Sequence, residues 1–238
     1  MLKETHRITV LTGAGISAES GLETFRGKSG IWNQMKPEEL ASMDGFMANP
    51  GLVWEWYRYR RTILATAQPN PAHHALAEWS KLCKDFTLVT QNVDGLHQVA
   101  GQRAVLELHG NIRLNRCLRC GKEEDAELLA SHDGIPYCQC GGQLRPSVVW
   151  FGEELPRKVL DEAIRASDSC QLFLVIGTSA EVYPAAHLPE IAREHGAATL
   201  EINVEQTRFS SQATVSILGL ASQAVPAVLQ TWKSLNLQ

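Results

Sequence analysis

Four cysteines fall within 24 positions of this 238-residue sequence, Cys117 and Cys120 followed by Cys138 and Cys140. The first pair has the two-residue spacer of a metal knuckle, and the second has a single residue between its cysteines. A chain without an export signal keeps its thiols reduced, so paired, clustered cysteines read as metal ligands rather than disulfides. Four thiolates at roughly 2.3 Å around one zinc ion leave no position for water, which makes such a site structural. Cys83 and Cys170 stand alone in apolar surroundings and read as small buried side chains.

A second set of polar residues stands where strands should end. Thr90-Gln91-Asn92-Val93-Asp94-Gly95-Leu96-His97 follows an apolar run. Polar groups in that number must satisfy one another, as in a capped loop, or a ligand. Val105 to Leu108 runs straight into His109-Gly110, a histidine placed for general-base work near neutral pH. Gly13-Ala14-Gly15-Ile16-Ser17-Ala18-Glu19-Ser20-Gly21 follows the first apolar run. It is either a tight turn or a loop whose helix start aims N–H groups at a phosphate. The dinucleotide fingerprint is incomplete there, with no G-x-x-G and no acidic residue closing a second strand about twenty positions on. Tyr57 and Arg60 are three apart in a helical pattern and share a face. Together they could grip a carboxylate through charge-assisted hydrogen bonds; the alternative is an amphipathic helix with solvated arginines.

Six short apolar, β-branched runs position these residues: Ile8 to Leu11, Phe86 to Val89, Val105 to Leu108, Leu172 to Ile176, Thr199 to Ile202 and Val215 to Leu218. Most are separated by helix-period stretches, which predicts an α/β fold, a doubly wound, Rossmann-like parallel sheet covered on both faces. Ligands of such sheets bind beyond the carboxyl ends of the strands. Two regions interrupt the alternation: residues 31–80, helical and aromatic-rich, and residues 115–143 around the cysteines. They are read as insertions forming a smaller lobe, with 1–30, 81–114 and 144–238 as the sheet domain. A net charge of −4 leaves no basic footprint for sequence-independent nucleic-acid binding, although Arg113, Arg116, Arg119 and Lys122 cluster near the first cysteine pair. No apolar run approaches the roughly 18 residues of a membrane span. With no signal peptide at the amino terminus, a cytoplasmic protein is expected.

Gly13-Ala14-Gly15-Ile16-Ser17, Phe25-Arg26-Gly27, Thr90-Gln91-Asn92-x-Asp94-x-Leu96-His97, His109-Gly110, the cysteine pairs, Gly177-Thr178-Ser179 and Glu201-Ile202-Asn203 occur here in one order. The chain so resembles the sirtuin family, NAD-dependent protein-lysine deacylases, from about residue 7 to about 230. The resemblance implies NAD as cofactor, one structural zinc and acylated protein lysines as substrates. It implies a cofactor loop from Gly13 to Trp32, in which Gly13, Ala14, Gly15, Ser17, Glu19, Thr24, Phe25, Arg26 and Trp32 meet NAD. Gln91, Asn92, Val93 and Asp94 would hold the nicotinamide ribose and amide; Gly177, Thr178 and Ser179 the phosphates and adenosine ribose. Asn203, Val204 and Glu205 would border that ribose, and Ala221 the adenine. His109 would be the catalytic base. Val149, Phe151, Gly152 and Glu153 resemble the segment that pairs with a substrate peptide backbone. The chain departs from the family at Gly21-Leu22-Glu23-Thr24, where sirtuins usually carry Gly-Ile-Pro.

The Tyr57-x-x-Arg60 pattern resembles the sirtuin class that removes succinyl and malonyl groups, so activity on acetyl and preferentially on acidic acyl groups is expected. Competing expectations are an ADP-ribosyltransferase using the same NAD cleavage and a non-enzymatic NAD or ADP-ribose sensor. A zinc-ribbon nucleic-acid adaptor is opposed by the acidic charge balance.

Overall fold

The computed structural model describes residues 1–25, 31, 36–126 and 134–237. Its elements run β1 (Arg7–Thr12), α1 (Pro37–Leu40), α2 (Met43–Ala48), α3 (Pro50–Thr66), α4 (Pro71–Leu82), β2 (Asp85–Thr90), α5 (Leu96–Val99), β3 (Leu106–Glu107) and β4 (Gly110–Cys117). They continue β5 (Glu123–Asp125), β6 (Leu144–Val148), α6 (Arg157–Ser169), β7 (Leu172–Ile176), α7 (Leu188–Glu194), β8 (Ala198–Asn203), β9 (Val215–Leu218) and α8 (Ala221–Asn236). All six expected runs become strands of one sheet in the order β3-β2-β1-β7-β8-β9. Every neighbouring pair is parallel.

The strand period of two divides each run between two cores. Leu172, Leu174 and Ile176 face a cluster with α4 and α8, while Phe173 and Val175 face another that includes Ala163 of α6 and Ala192 of α7. Burying each such side chain contributes about 1.5–3 kcal/mol. Strand order reverses between β1 and β7, so the crevice beyond their carboxyl ends is where a ligand of this fold binds.

β4, β5 and β6 form a separate antiparallel sheet, order β5-β4-β6, with Cys117 opposite Leu144. One core joins it to the helical insertion: Phe46, Trp54 and Tyr57 pack with Ile112, Leu144 and Trp150.

The packing draws the two units differently from the sequence expectation. Ala72, Leu76 and Trp79 of α4 are buried with the large sheet, because this helix lies against α8; Trp79 stacks near Trp232 at 5.7 Å. The small sheet starts at Gly110 and includes Leu144–Val148, because β4 and β6 pair outside the cysteines as well. The expected third strand is also shorter, reduced to Leu106–Glu107.

Candidate active site

The glycine loop after β1 is a 3-10 helix, Ala14–Ser20, rather than the start of an α-helix. Its glycines serve the contact between two strand-end loops. A Cβ on Gly15 would lie 2.7 Å from Gly177 Cα, and one on Gly13 2.7 Å from Thr178 Cβ. Gly13 and Gly15 donate their N–H groups to the carbonyls of Ile176 and Gly177, at 3.0 and 2.8 Å. Those two amides are therefore already bonded within the protein. Glu19 is likewise occupied: its carboxylate accepts from the Ser222 N–H at 3.1 Å and from the Ser222 hydroxyl, capping the first turn of α8.

Across the crevice the loop after β2 forms a closed network. Ser17 donates its hydroxyl to Asp94 Oδ2 at 2.8 Å and accepts from Asn92 Nδ2 at 3.2 Å. Asp94 Oδ1 accepts the Leu96 N–H at 2.8 Å. Burial pushes the Asp94 carboxyl above its ordinary 3.8, against the pull of the Leu96 N–H and the Ser17 hydroxyl. Gln91 Nε2 donates to Thr178 Oγ1 at 2.9 Å and Asn203 Nδ2 to the Thr178 carbonyl at 2.9 Å, linking three strand ends. Val93 lines a small cavity with Ala14, Phe25, Arg60, Asn92 and Asp94. Val204 and Glu205 are exposed, Ser179 is half-buried, and Ala221 opens α8 in the core.

His109 follows β3. Its Nδ1 lies 2.9 Å from the Gln91 carbonyl oxygen, which can only accept. Nδ1 therefore carries the hydrogen, and Nε2 is left as the basic nitrogen. Burial lowers the ring's affinity for a proton below the ordinary 6.5, so it is neutral and competent as a base at pH 7.

The helical insertion supplies Tyr57 and Arg60 from α3, capped at its start by the Asn49 side chain and begun at Pro50. Tyr57 is 4% exposed and accepts a hydrogen bond from Trp150 Nε1 at 2.9 Å. The Arg60 guanidinium lies over Phe25 at 5.0 Å and over Trp56 at 5.7 Å. Burial lowers its pKa, opposed by the nearby Tyr57, Glu23 and Asp94. Among the described residues it makes no hydrogen bond or ion pair.

The segment after β6 is fixed from several sides. Val149 N–H donates to the His109 carbonyl at 2.8 Å and Phe151 N–H to the Ala41 carbonyl at 2.8 Å, with Phe151 bridged to Ser42. These amides are spent, so pairing with a peptide would draw on the carbonyls here and on the backbone at Gly152, which has φ +86. Glu153 is spent too: it holds Arg145 with both oxygens and accepts the Trp150 N–H at 2.8 Å. Desolvation pushes its carboxyl up, and Arg145 with the Trp150 N–H more than reverses this, holding it below 4.5.

Cys117, Cys120, Cys138 and Cys140 converge, all four sulfurs lying within 4.8 Å of one another. Cys117 and Cys140 are 3.5 Å apart and Cys120 and Cys138 3.8 Å. A tetrahedron of thiolates around zinc has edges of about 3.8 Å, so the four fit a zinc ion despite the one-residue second spacer. Gly121 and Gly141, at φ +72 and +78, close the two knuckle turns. The N–H groups of Cys120 and Arg119 point at Cys117 Sγ and draw its thiol down to about 6.

Two expected cofactor residues, Arg26 and Trp32, lie outside the described residues; Thr24 and Phe25 lie just before them. Sequence reasoning missed Asn70, His73, Arg145 and Trp150. Asn70 caps α4 in a capping box with His73, which also approaches Ser17 Oγ at 3.4 Å. An Asn-Pro pair three residues before a histidine was the available signal. Arg145, a lone charge in an apolar strand, was another.

The Sir2 family model matches residues 13–184. The NAD-dependent protein deacylase of Aquifex aeolicus is 50% identical over 226 residues, 94% of this chain and 95% of that one. That of Mycolicibacterium paratuberculosis is 47% identical over 230 residues, 94% and 97% of the two chains. A solved Sir2 homologue in complex with NAD superposes with a TM-score of 0.92 at 44% identity, over 98% of this chain and 91% of that one. A Sir2–p53 peptide–NAD+ structure gives 0.87 at 34% identity, over 97% and 95%. With its strand-end crevice, its four-cysteine cluster and matches of this extent, the chain belongs to the Sir2 family.

Proposed function

We propose that the protein is an NAD-dependent protein-lysine deacylase that removes acetyl groups and prefers the acidic succinyl and malonyl groups, giving nicotinamide, O-acyl-ADP-ribose and free lysine. The names of the relatives support the deacylase reading, and the solved NAD complex of a homologue supports NAD in the crevice. When bound, NAD supplies the ribose carbon that the acyl oxygen attacks and the nicotinamide that leaves.

The chain's own residues do the rest. His109, with Nδ1–H committed to Gln91, holds Nε2 ready to accept a proton from a ribose hydroxyl. Ser17, Asn92 and Asp94 present a polar wall whose orientations are already fixed by one another, so ordering them costs little when ligand binds. The substrate backbone is to lie along Val149 to Gly152, beside the His109 carbonyl that anchors this segment.

The observation that carries the acyl class is Arg60, desolvated over two aromatic rings with no acceptor among the described residues. An acetyl methyl offers it nothing, whereas a carboxylate completes it. Truncating one partner of a buried charge pair costs about 2–5 kcal/mol, so Arg60→Met should lower the succinyl-to-acetyl ratio of kcat/KM by about 30-fold or more. The check is competition between succinyl and acetyl forms of one peptide, followed by mass with NAD present. A ratio unchanged in the variant sinks the acidic-acyl reading and leaves a deacetylase.

A further inference from the structure

The contact between Trp150 and Tyr57 has a direction. An indole nitrogen carries a hydrogen and no available lone pair, so Trp150 Nε1 can only donate, and Tyr57 Oη accepts at 2.9 Å. The tyrosine's own proton must then point elsewhere, and no described residue accepts it. The indole is not free to turn away. The Arg145 guanidinium lies over its ring, 3.4 Å from the centroid, and the ring of Phe46 packs at 5.2 Å. Arg145 is itself fully buried and held by Glu153 and by the Val148 carbonyl at 2.7 Å. The backbone of Trp150 is tied to the same Glu153 carboxylate.

We propose that Trp150 is a positioning residue for acyl specificity: by donating to the Tyr57 oxygen it turns the Tyr57 O–H away from the indole, leaving that proton to be donated to an acyl carboxylate beside Arg60, which an acetyl methyl cannot accept. This rests on the acidic-acyl reading above. Burial also pushes the Tyr57 phenol up to about 12, so the proton stays in place across the working pH range. Glu153, which accepts no free ligand, takes part at two removes, through Arg145 and the indole. The zinc-bearing sheet reaches the acyl pocket by the same route, since Arg145 lies on β6 next to Leu144, the partner of Cys117.

The test is a double-mutant cycle on zinc-replete full-length protein: wild type, Trp150→Phe, Tyr57→Phe and the double variant, each with NAD and the succinyl and acetyl forms of one peptide. Trp150→Phe should lower the succinyl-to-acetyl ratio of kcat/KM by about tenfold, the effect lying in the succinyl KM rather than kcat. In the Tyr57→Phe background the same change should do nothing further to the ratio. A fall common to both acyl groups, or effects that simply add, overturns the proposal and leaves Trp150 a packing residue. Trp150→His keeps a ring N–H with less bulk and should hold the ratio better than Trp150→Phe; equal loss in both also overturns it. If instead Tyr57→Phe and Arg60→Met leave the ratio where it is in wild type, the acidic-acyl reading itself has failed.

Discussion

Strand β6 and the crevice beside α3 each bring an arginine out of water onto aromatic side chains, and they finish it differently. Arg145 comes with its counter-charge: Glu153 eight residues on, a backbone carbonyl and the face of Trp150. Arg61, on α3, is also completed, by the carbonyls of Ile112 and Leu114 and by Asn115 Oδ1. Among the described residues Arg60, one residue before it, has the faces of Phe25 and Trp56 and no hydrogen-bond acceptor. A guanidinium removed from water is costly unless acceptors replace the water it lost. The first region is therefore built to be complete without ligand, and the second retains a cost that a bound carboxylate would remove. Substitutions in the first should be read in stability, and in the second in substrate choice.

The small sheet carries the largest expected effect, because its four convergent cysteines fit a structural zinc ion. Structural zinc contributes on the order of 10 kcal/mol to the folding of small sites. Cys138→Ser should abolish retention of about one zinc per chain and melt β4, β5 and β6, while the six-stranded sheet, which holds none of the four cysteines, keeps its far-UV signal. Metal content after dialysis against a mild chelator, with circular dichroism alongside, measures both. Zinc held at wild-type affinity by the serine variant would mean that the one-residue knuckle contributes only Cys140 and that the site has three cysteine ligands.

The two arginines can be set against each other directly. Arg145→Met strands the Glu153 carboxylate and the Val148 carbonyl, and breaking a buried pair in this way costs about 3–5 kcal/mol. Arg60→Met removes no hydrogen-bond or ion-pair partner among the described residues, only the two ring contacts, and should lower unfolding free energy by about 1 kcal/mol or less. Urea unfolding of the two variants in parallel decides it. Equal losses would show that Arg60 has a structural partner in the folded chain, and the contrast between the regions would be gone.

Much of this was legible in sequence because it depends on local pattern. Short β-branched runs such as Leu172 to Ile176, alternating with helix-period stretches, read as buried strands, so the parallel sheet and its strand-end residues followed from that alternation. Tyr57 and Arg60 were readable as neighbours for the same reason, since a helix brings residues three apart together. What sequence could not show is which polar groups are already spent. Glu19 and Glu153 look as available as Asp94 until Ser222 and Arg145, 203 and 8 residues away, are seen on them. The glycines at 13, 15 and 177 suggested room for a ligand, and they turn out to make room for each other. That no described residue offers Arg60 an acceptor is equally a property of three dimensions.

The smallest expected effect concerns a pair that the crevice buries without finishing. The rings of His73 and His97 pack at a tilt, 4.9 Å between centroids, in the interior, and His97 Nδ1 has no partner among the described residues. Desolvation lowers their pKa values from 6.5 to about 4 and about 3, each further lowered by a neighbouring histidine, His74 for His73 and His73 for His97. Both are neutral in the folded protein at pH 6, while in the unfolded chain they begin to take up protons as pH falls through 6.5. The unfolded state then binds more protons, so stability must fall as pH falls, with a slope to which these two rings contribute up to two protons and His109, also lowered by burial, adds in the same direction. The slope is best read between about pH 6.5 and 5.5, above the ordinary carboxylate range. The buried carboxyls of Asp94 and Glu107, which burial shifts upward, work in the opposite direction. Urea midpoints across that interval measure the slope, and His97→Asn should remove about one proton from it. A flat profile in the wild type would mean that these rings keep their protons in the folded state. The polar wall formed by Thr12, Ser17 and Asp94 would then be charged from behind rather than neutral, and the crevice would no longer be the region that waits for its charge from a ligand.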